Sequence, residues 1–147
     1  MMYAGVWKRF CAVVVDSVIL TGVILIMIFL GSILRAMIGL DEGLVTLFVT
    51  ICYFALCLLY FPLMESSSRQ ATIGKIAMGL RVTDLSGNRI SFGKALVRHL
   101  CKILFNTVLY LGSIMIIFTE KKQGLYDIVA GTLVIRDKSP EMLDALS

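Results

Sequence analysis

Charged residues are absent from three long stretches of the chain, and those stretches set its architecture. Residues 17–34 are 18 uncharged positions in a row, and counting back to Phe10 gives 25 residues interrupted only by Asp16. Residues 43–64 form a second uncharged run of 22, ending just after Pro62, and residues 103–119 a third of 17. A helix needs about 20 apolar residues to cross a hydrocarbon core ~30 Å thick. The first two runs therefore predict spanning helices, and the third stands at the lower limit. The first run also exceeds the ~7–15-residue apolar core of a cleavable leader, and no small-residue cleavage site stands out, so it is expected to stay on the chain.

The polar stretches between the runs carry the orientation signal. Lys8 and Arg9 precede the first run, and the 35–42 loop has one basic and two acidic residues. Residues 65–102 hold seven basic residues against two acidic ones. Basic residues in short loops stay on the cytoplasmic side, so the N-terminus and the 65–102 segment are expected there, with the 35–42 loop outside. Within 65–102, residues 81–91 (RVTDLSGNRIS) read as two short strands about a Ser-Gly turn, and residues 132–136 (TLVIR) have strand composition. Two arrangements of residues 95–119 stay open. One is a single crossing, which would place Lys121, Lys122 and Arg136 outside. The other is a helical hairpin or re-entrant element breaking near Asn106 or Gly112, which strand pairing between 81–91 and 132–136 would require. Residues 72–80 (TIGKIAMGL) place Ile73, Ile76, Ala77 and Leu80 on one helical face with Lys75 off it, the pattern of a short interfacial helix.

Composition narrows the function classes. Of 147 residues, 59% are hydrophobic and 16% charged, with a mean hydropathy of +0.91; a soluble domain runs roughly 45–50% apolar and about 25% charged. The expected fold class is an all-α membrane protein: a small helical bundle of two transmembrane helices, a third spanning or hairpin element and a short cytoplasmic β element. Residues 1–136 form one membrane domain, and 137–147 a polar tail expected to be mobile. The net charge of +4 flanks apolar runs instead of lining one soluble face, so no nucleic-acid partner is expected. Cys11, Cys52, Cys57 and Cys101 lie in or beside apolar runs without CxxC spacing and fit buried apolar thiols better than disulfides or a metal site. The glycines of GKIAMG lack the order of a phosphate loop. With no Ser/His/Asp or Cys/His set, and His99 alone beside a run at headgroup level, neither enzyme chemistry nor a metal or cofactor is expected.

Three ionisable residues are costly where they stand. Asp16 lies two turns inside the first predicted span, where a bare carboxylate costs several kcal/mol at mid-depth. It either caps a neighbouring helix and fixes packing, or takes up and releases a proton or cation. Arg9, seven residues earlier, projects from the same face but is ~10 Å away along the axis, too far for direct contact. Asp127, in the apolar stretch 124–135, is either a first-turn acid after Gly124 or the partner of Arg9. Glu65, Ser67 and Arg69 stand in a polar cluster at the end of the second run. They could line a vestibule, or act as helix caps with a surface Glu65–Arg69 pair. Tyr3, Trp7 and Tyr60 fit interfacial anchors.

Four segments carry a resemblance: 3–16 (YAGVWKRFCAVVVD), 65–81 (ESSSRQATIGKIAMGLR), 91–98 (SFGKALVR) and 123–136 (QGLYDIVAGTLVIR). In this order they resemble the RDD family of prokaryotic membrane proteins, named for an arginine and two aspartates, which match Arg9, Asp16 and Asp127. The family pattern expects a histidine before the second aspartate, where this chain has Tyr126. The resemblance implies a multi-pass protein of the cell inner membrane. It also raises proton-coupled transport, since some relatives are credited with sodium/proton antiport and many have no assigned role. The leading expectation is a proton-coupled secondary transporter of a cation or small solute, acting in the lipid bilayer as a homo-oligomer, with Asp16, Arg9 and Asp127 handling the ion. The alternative is a non-transporting membrane scaffold or assembly partner in which these charges are structural.

Overall fold

The computed structural model describes residues 2–109 and 116–136, with the side chains of 106–109 left aside. Its elements in order are α1 (Val6–Ile38), α2 (Glu42–Glu65), α3 (Ile73–Ala77), β1 (Leu80–Asp84), α4 (Phe92–Leu109), α5 (Leu125–Ala130) and β2 (Thr132–Arg136). The two longest uncharged runs fall in α1 and α2. Both helices are long and apolar enough to cross a membrane, and almost none of their most apolar stretch is buried against other parts of the chain. Phe29, Phe48 and Phe54 are among the exposed side chains, an apolar surface of the kind that lipid or another protein surface covers.

A short turn joins these helices. Gly39 ends α1 at a φ of +72°, its N–H donating to the Arg35 carbonyl at 2.8 Å. Asp41 starts α2 by accepting from the Leu44 N–H at 3.1 Å, filling one of the donors a helix start leaves free. Close to this turn Gly31 lets the helices meet: a Cβ there would stand 3.1 Å from the Val45 side chain, the small-residue contact that apolar helices in lipid favour.

The other end of α1 and α2 carries everything else. β1 pairs antiparallel with β2 in the register Leu80↔Arg136 through Asp84↔Thr132. Both edges of this ribbon are covered. Ala4 N–H donates to the Val134 carbonyl and Arg136 N–H to that of Met2, so residues 2–4 lie along β2. On the β1 side, Gln70 takes the Val82 N–H on its own carbonyl and donates its side-chain amide back to the Val82 carbonyl. Ala4, Ala12, Leu80, Val82, Ile90, Ala95 and Val134 make the buried apolar cluster.

Only one of the two strands expected in 81–91 forms. After Asp84 the chain turns sharply: Asp84 Oδ1 accepts from the Ser86 and Asn88 N–H groups, and Gly87 takes a φ of +86°. Residues 88–91 then lead straight into α4. The apolar β2, buried at Thr132, Leu133, Val134 and Ile135, takes the place of the local partner. The helix of 72–80 is shorter than expected. It ends at Ala77, and Gly79, at a φ of +64°, redirects the chain into β1. Ile73 points outward and Lys75 inward, as an apolar face directed at lipid requires.

The strand pairing places the chain before and after 103–119 at the same end of the molecule. Arg98 of α4 meets Asp127 of α5, and the Lys122 carbonyl meets Arg9. A single straight crossing does not allow this, whereas the hairpin arrangement does. The helix continues through Asn106; Gly112, the other expected break, and the tail 137–147 lie outside the described residues. The four cysteines are free thiols but not buried as expected: Cys11 is exposed and the others are half-buried, because they lie on helix faces turned away from the protein core.

In a cysteine-free background, single cysteines placed at Lys94 and Lys121 should react with an impermeant reagent from the same side of the membrane, and one at Gly39 from the opposite side. Labelling of Lys121→Cys together with Gly39→Cys would establish a single crossing instead.

Candidate functional site

α1 turns only one stripe inward: Arg9, Ala12, Asp16 and Leu20 are its buried residues. The spacing of three and four keeps them on a single face, and that face meets two separate structures.

The first is an ion ladder. Arg9 donates from Nη1 to Asp127 Oδ2 at 2.6 Å and from Nη2 to the Lys122 carbonyl at 2.5 Å. Arg98 donates from Nε to the other Asp127 oxygen at 2.7 Å. Arg98 then bonds through Nη1 to Glu65 Oε2, and Glu65 Oε1 takes the Lys75 ammonium. The sequence Arg9–Asp127–Arg98–Glu65–Lys75 thus joins α1, α5, α4, α2 and α3 through residues that are all buried. Asp127 is also the first-turn acid of α5, accepting from the Gly124 N–H at 3.2 Å. Both readings of Asp127 hold at once: it starts its helix and it pairs with Arg9.

Burial works against the charge on Asp127, but the guanidiniums of Arg98 and then Arg9 outweigh it and hold the carboxyl below its usual range. At the far end, burial is the largest influence on Lys75. It pushes the ammonium down to about 8, against the pull of Glu65 and with the help of Arg98 and Lys102.

The second structure is a clamp on α3. Asp16 Oδ1 accepts from the Gly74 N–H at 2.8 Å and from the Tyr60 hydroxyl at 3.1 Å, while Oδ2 accepts from the Thr72 hydroxyl at 2.6 Å. Thr72 is itself the N-cap of α3. Asp16 therefore caps a neighbouring helix, and the fit is tight: a Cβ on Gly74 would lie 2.1 Å from the Ala12 carbonyl oxygen and 2.9 Å from Asp16 Cγ.

Several positions differ from expectation. Glu65 is buried and held by Lys75 and Arg98, while Arg69 is exposed, so the Glu65–Arg69 surface pair does not form. Two buried cations from α3 and α4 satisfy the carboxylate better than one solvated arginine. Ser67 donates to the Met64 carbonyl at 2.6 Å and caps the end of α2. The Tyr60 hydroxyl is taken up by the fold, donating to Asp16 and accepting from the Ile73 N–H. Trp7 is exposed and Tyr3 pairs its backbone with Ile135. His99 is buried and stacks on the Phe61 ring at 4.9 Å. Tyr126, where the family pattern expects histidine, is buried with the Arg98 guanidinium 5.7 Å from its ring centre.

Lys75, Arg98, Thr72 and Gly74 were not singled out by sequence. One signal pointed to the first two: with seven basic residues against two acidic ones in 65–102, any carboxylate there is surrounded by cations. The uncharged stretch 17–34 rises about 27 Å at 1.5 Å per residue, nearly a full hydrocarbon core. Asp16 therefore stands at the edge of that stretch, and the first three turns of α1 extend beyond it.

Two long lipid-facing helices with a buried polar end define an integral membrane protein. The model of the RDD family matches residues 3–131, and the chain belongs to that family. It is 32% identical over 146 residues to the uncharacterized protein YxaI of Bacillus subtilis (strain 168), covering 90% of this chain and 96% of the relative. It is 29% identical over 152 residues to the uncharacterized membrane protein YteJ of the same organism, covering 92% and 82%. No solved structure matches it.

Two substitutions test the geometry. Gly74→Ala should destabilise the protein by about 1–3 kcal/mol through overpacking. Gly22→Ala, where a Cβ meets nothing within 4 Å, should be neutral or slightly stabilising; thermal unfolding in detergent distinguishes them. Asp127→Asn strands two buried guanidiniums and should cost about 3–5 kcal/mol. Because the folded carboxyl titrates below its unfolded value, its contribution is complete above pH ~4 and lost as pH falls through the folded value. The variant's deficit should therefore shrink in strong acid, and a deficit unchanged from pH 7 to pH 2 would contradict the assignment.

Proposed function

We propose that this protein is a proton-coupled secondary transporter of a cation or small solute in the cell inner membrane, with its N-terminus cytoplasmic. The observation that supports the reading is the buried ladder at the end of the two spans. Taking ions out of water costs several kcal/mol each, and such networks rarely add stability over apolar packing. Ionisable groups kept beside a membrane core are by default candidates for ion handling. Two spanning helices are too few to enclose a path, so the working unit is a homo-oligomer whose copies share an interface. Asp16, Arg9 and Asp127 remain the residues assigned to the ion, joined by Glu65 and Arg98.

One observation favours the scaffold reading instead: both oxygens of Asp16 are already filled by three donors from the fold. Asp16→Asn separates the readings. The carboxamide oxygen can keep the Gly74 and Tyr60 donors, and its NH2 can donate to a reoriented Thr72 hydroxyl, so folding should survive at a cost of about 1 kcal/mol. In proteoliposomes with an entrapped pH indicator, wild-type protein should move protons when a gradient of sodium or potassium is applied, and Asp16→Asn should lose at least tenfold of that flux. Wild-type vesicles indistinguishable from empty ones under every cation tried would leave the scaffold reading.

A further inference from the structure

The ladder holds three cations against two carboxylates, and the cations differ in chemistry. Guanidiniums do not give up a proton in proteins, whereas a buried lysine does so readily. Arg98 lies between both carboxylates, and Arg9 is committed to Asp127 and the Lys122 carbonyl. If either arginine could lose charge, a carboxylate would be left without its bridging partner. Lys75 is different. It sits at the end of the ladder on a single oxygen of Glu65, whose other oxygen stays with Arg98. Without the Lys75 charge, the remaining members balance as Arg9 with Asp127 and Arg98 with Glu65.

We propose that Lys75 is the group of this site that binds and releases the proton. This rests on the transport reading above for its consequence, but not for its chemistry. In the step, one N–H bond of the Lys75 ammonium breaks, the electron pair stays on Nζ and the proton passes to water. The neutral amine keeps one N–H directed at Glu65 Oε1, and Glu65 stays ionised against Arg98. The surroundings of Lys75 favour release. α2 presents Glu65 and Tyr60, and α4 presents Arg98, His99 and the half-buried Lys102, while α1 presents Asp16. β1 follows α3 directly and carries Arg81, while Asp84 is occupied by its own turn. Burial and the two neighbouring cations lower the proton affinity that Glu65 raises. Asp16 holds the start of α3 through the Gly74 N–H and Thr72, one residue before Lys75.

Two readouts test this. The first is independent of transport: lysine labelled with 13C at Cε, followed by NMR of the detergent-solubilised protein from pH 6 to pH 11. One resonance, missing in Lys75→Arg, should titrate with a midpoint of about 8, while exposed lysines titrate near 10.4. If Lys75→Arg does not fold, Lys102→Arg makes the assignment, because the low-titrating signal must persist in it. A protein in which every lysine titrates above pH 9.5 overturns the proposal. The second is flux in proteoliposomes, where Lys75→Arg keeps the charge but cannot release the proton and should lose at least tenfold. Wild-type flux in a folded Lys75→Arg also overturns it. A midpoint of about 8 in a protein that moves no protons across vesicles supports the Lys75 assignment and removes the transport reading alone.

Discussion

One carboxylate shared between two guanidiniums holds the polar end of this molecule together. Asp127 gives one oxygen to Arg9 of α1 and the other to Arg98 of α4, and it is fully buried. Such an arrangement tolerates no partial version: a missing partner leaves a buried charge uncompensated, which costs more than the intact pair contributes. Its consequences reach the sheet. Asp127 lies in the first turn of α5, a six-residue helix that ends at Gly131 (φ +62°) and passes directly into β2. Fixing Asp127 between Arg9 and Arg98 therefore carries β2 to β1, and β2 is where residues 2–4 find their own partners.

Asp16 makes a second attachment on the same face of α1, two turns further along. Its hold on α3 is of a different kind, a carboxylate taking one backbone N–H and two hydroxyls. Hydrogen bonds to charged groups are roughly twice as strong as neutral ones. The close approach at Gly74 leaves no room for a side chain. Together the two attachments make the start of α1 a spine that α3, α4, α5 and the sheet gather around, while the rest of the helix faces lipid.

Much of this was legible in the chain. Long uncharged runs give α1 and α2 directly, because the bilayer imposes a length that no soluble fold requires. Strand composition marked 81–91 and 132–136, and the isolated acids Asp16 and Asp127 marked themselves by being costly where they stand. Partners were harder to read. Nothing local says that Glu65 looks past Arg69, four residues away, to Lys75 and Arg98, because the choice depends on α4 folding back across the end of α2. Tyr60 illustrates the same limit: an aromatic near a span end fits an anchor by position, yet its hydroxyl is drawn to Asp16 on another helix. The second strand of 81–91 failed for a related reason, since an apolar partner about 50 residues on covers β1 more completely than residues 88–91, of which only Ile90 is apolar.

The depth of the charges gives the arrangement its sense. With residues 17–34 rising about 27 Å, the core of the membrane begins where Asp16 ends the polar stripe, and Arg9 lies about two turns further out. The ladder thus lies beyond the uncharged stretch of α1, and protein covers it. Ion pairs there avoid the full cost of the bilayer centre while keeping the low dielectric that strengthens them. A boundary site also has water on one side only. On the transport reading, a proton or cation taken up there must be passed across by a change in how the ladder is closed. The element best placed to make that change is α3, the shortest helix in the ladder. It hangs from α1 by Asp16 alone among the described carboxylates, and it carries the one ladder cation that can be discharged.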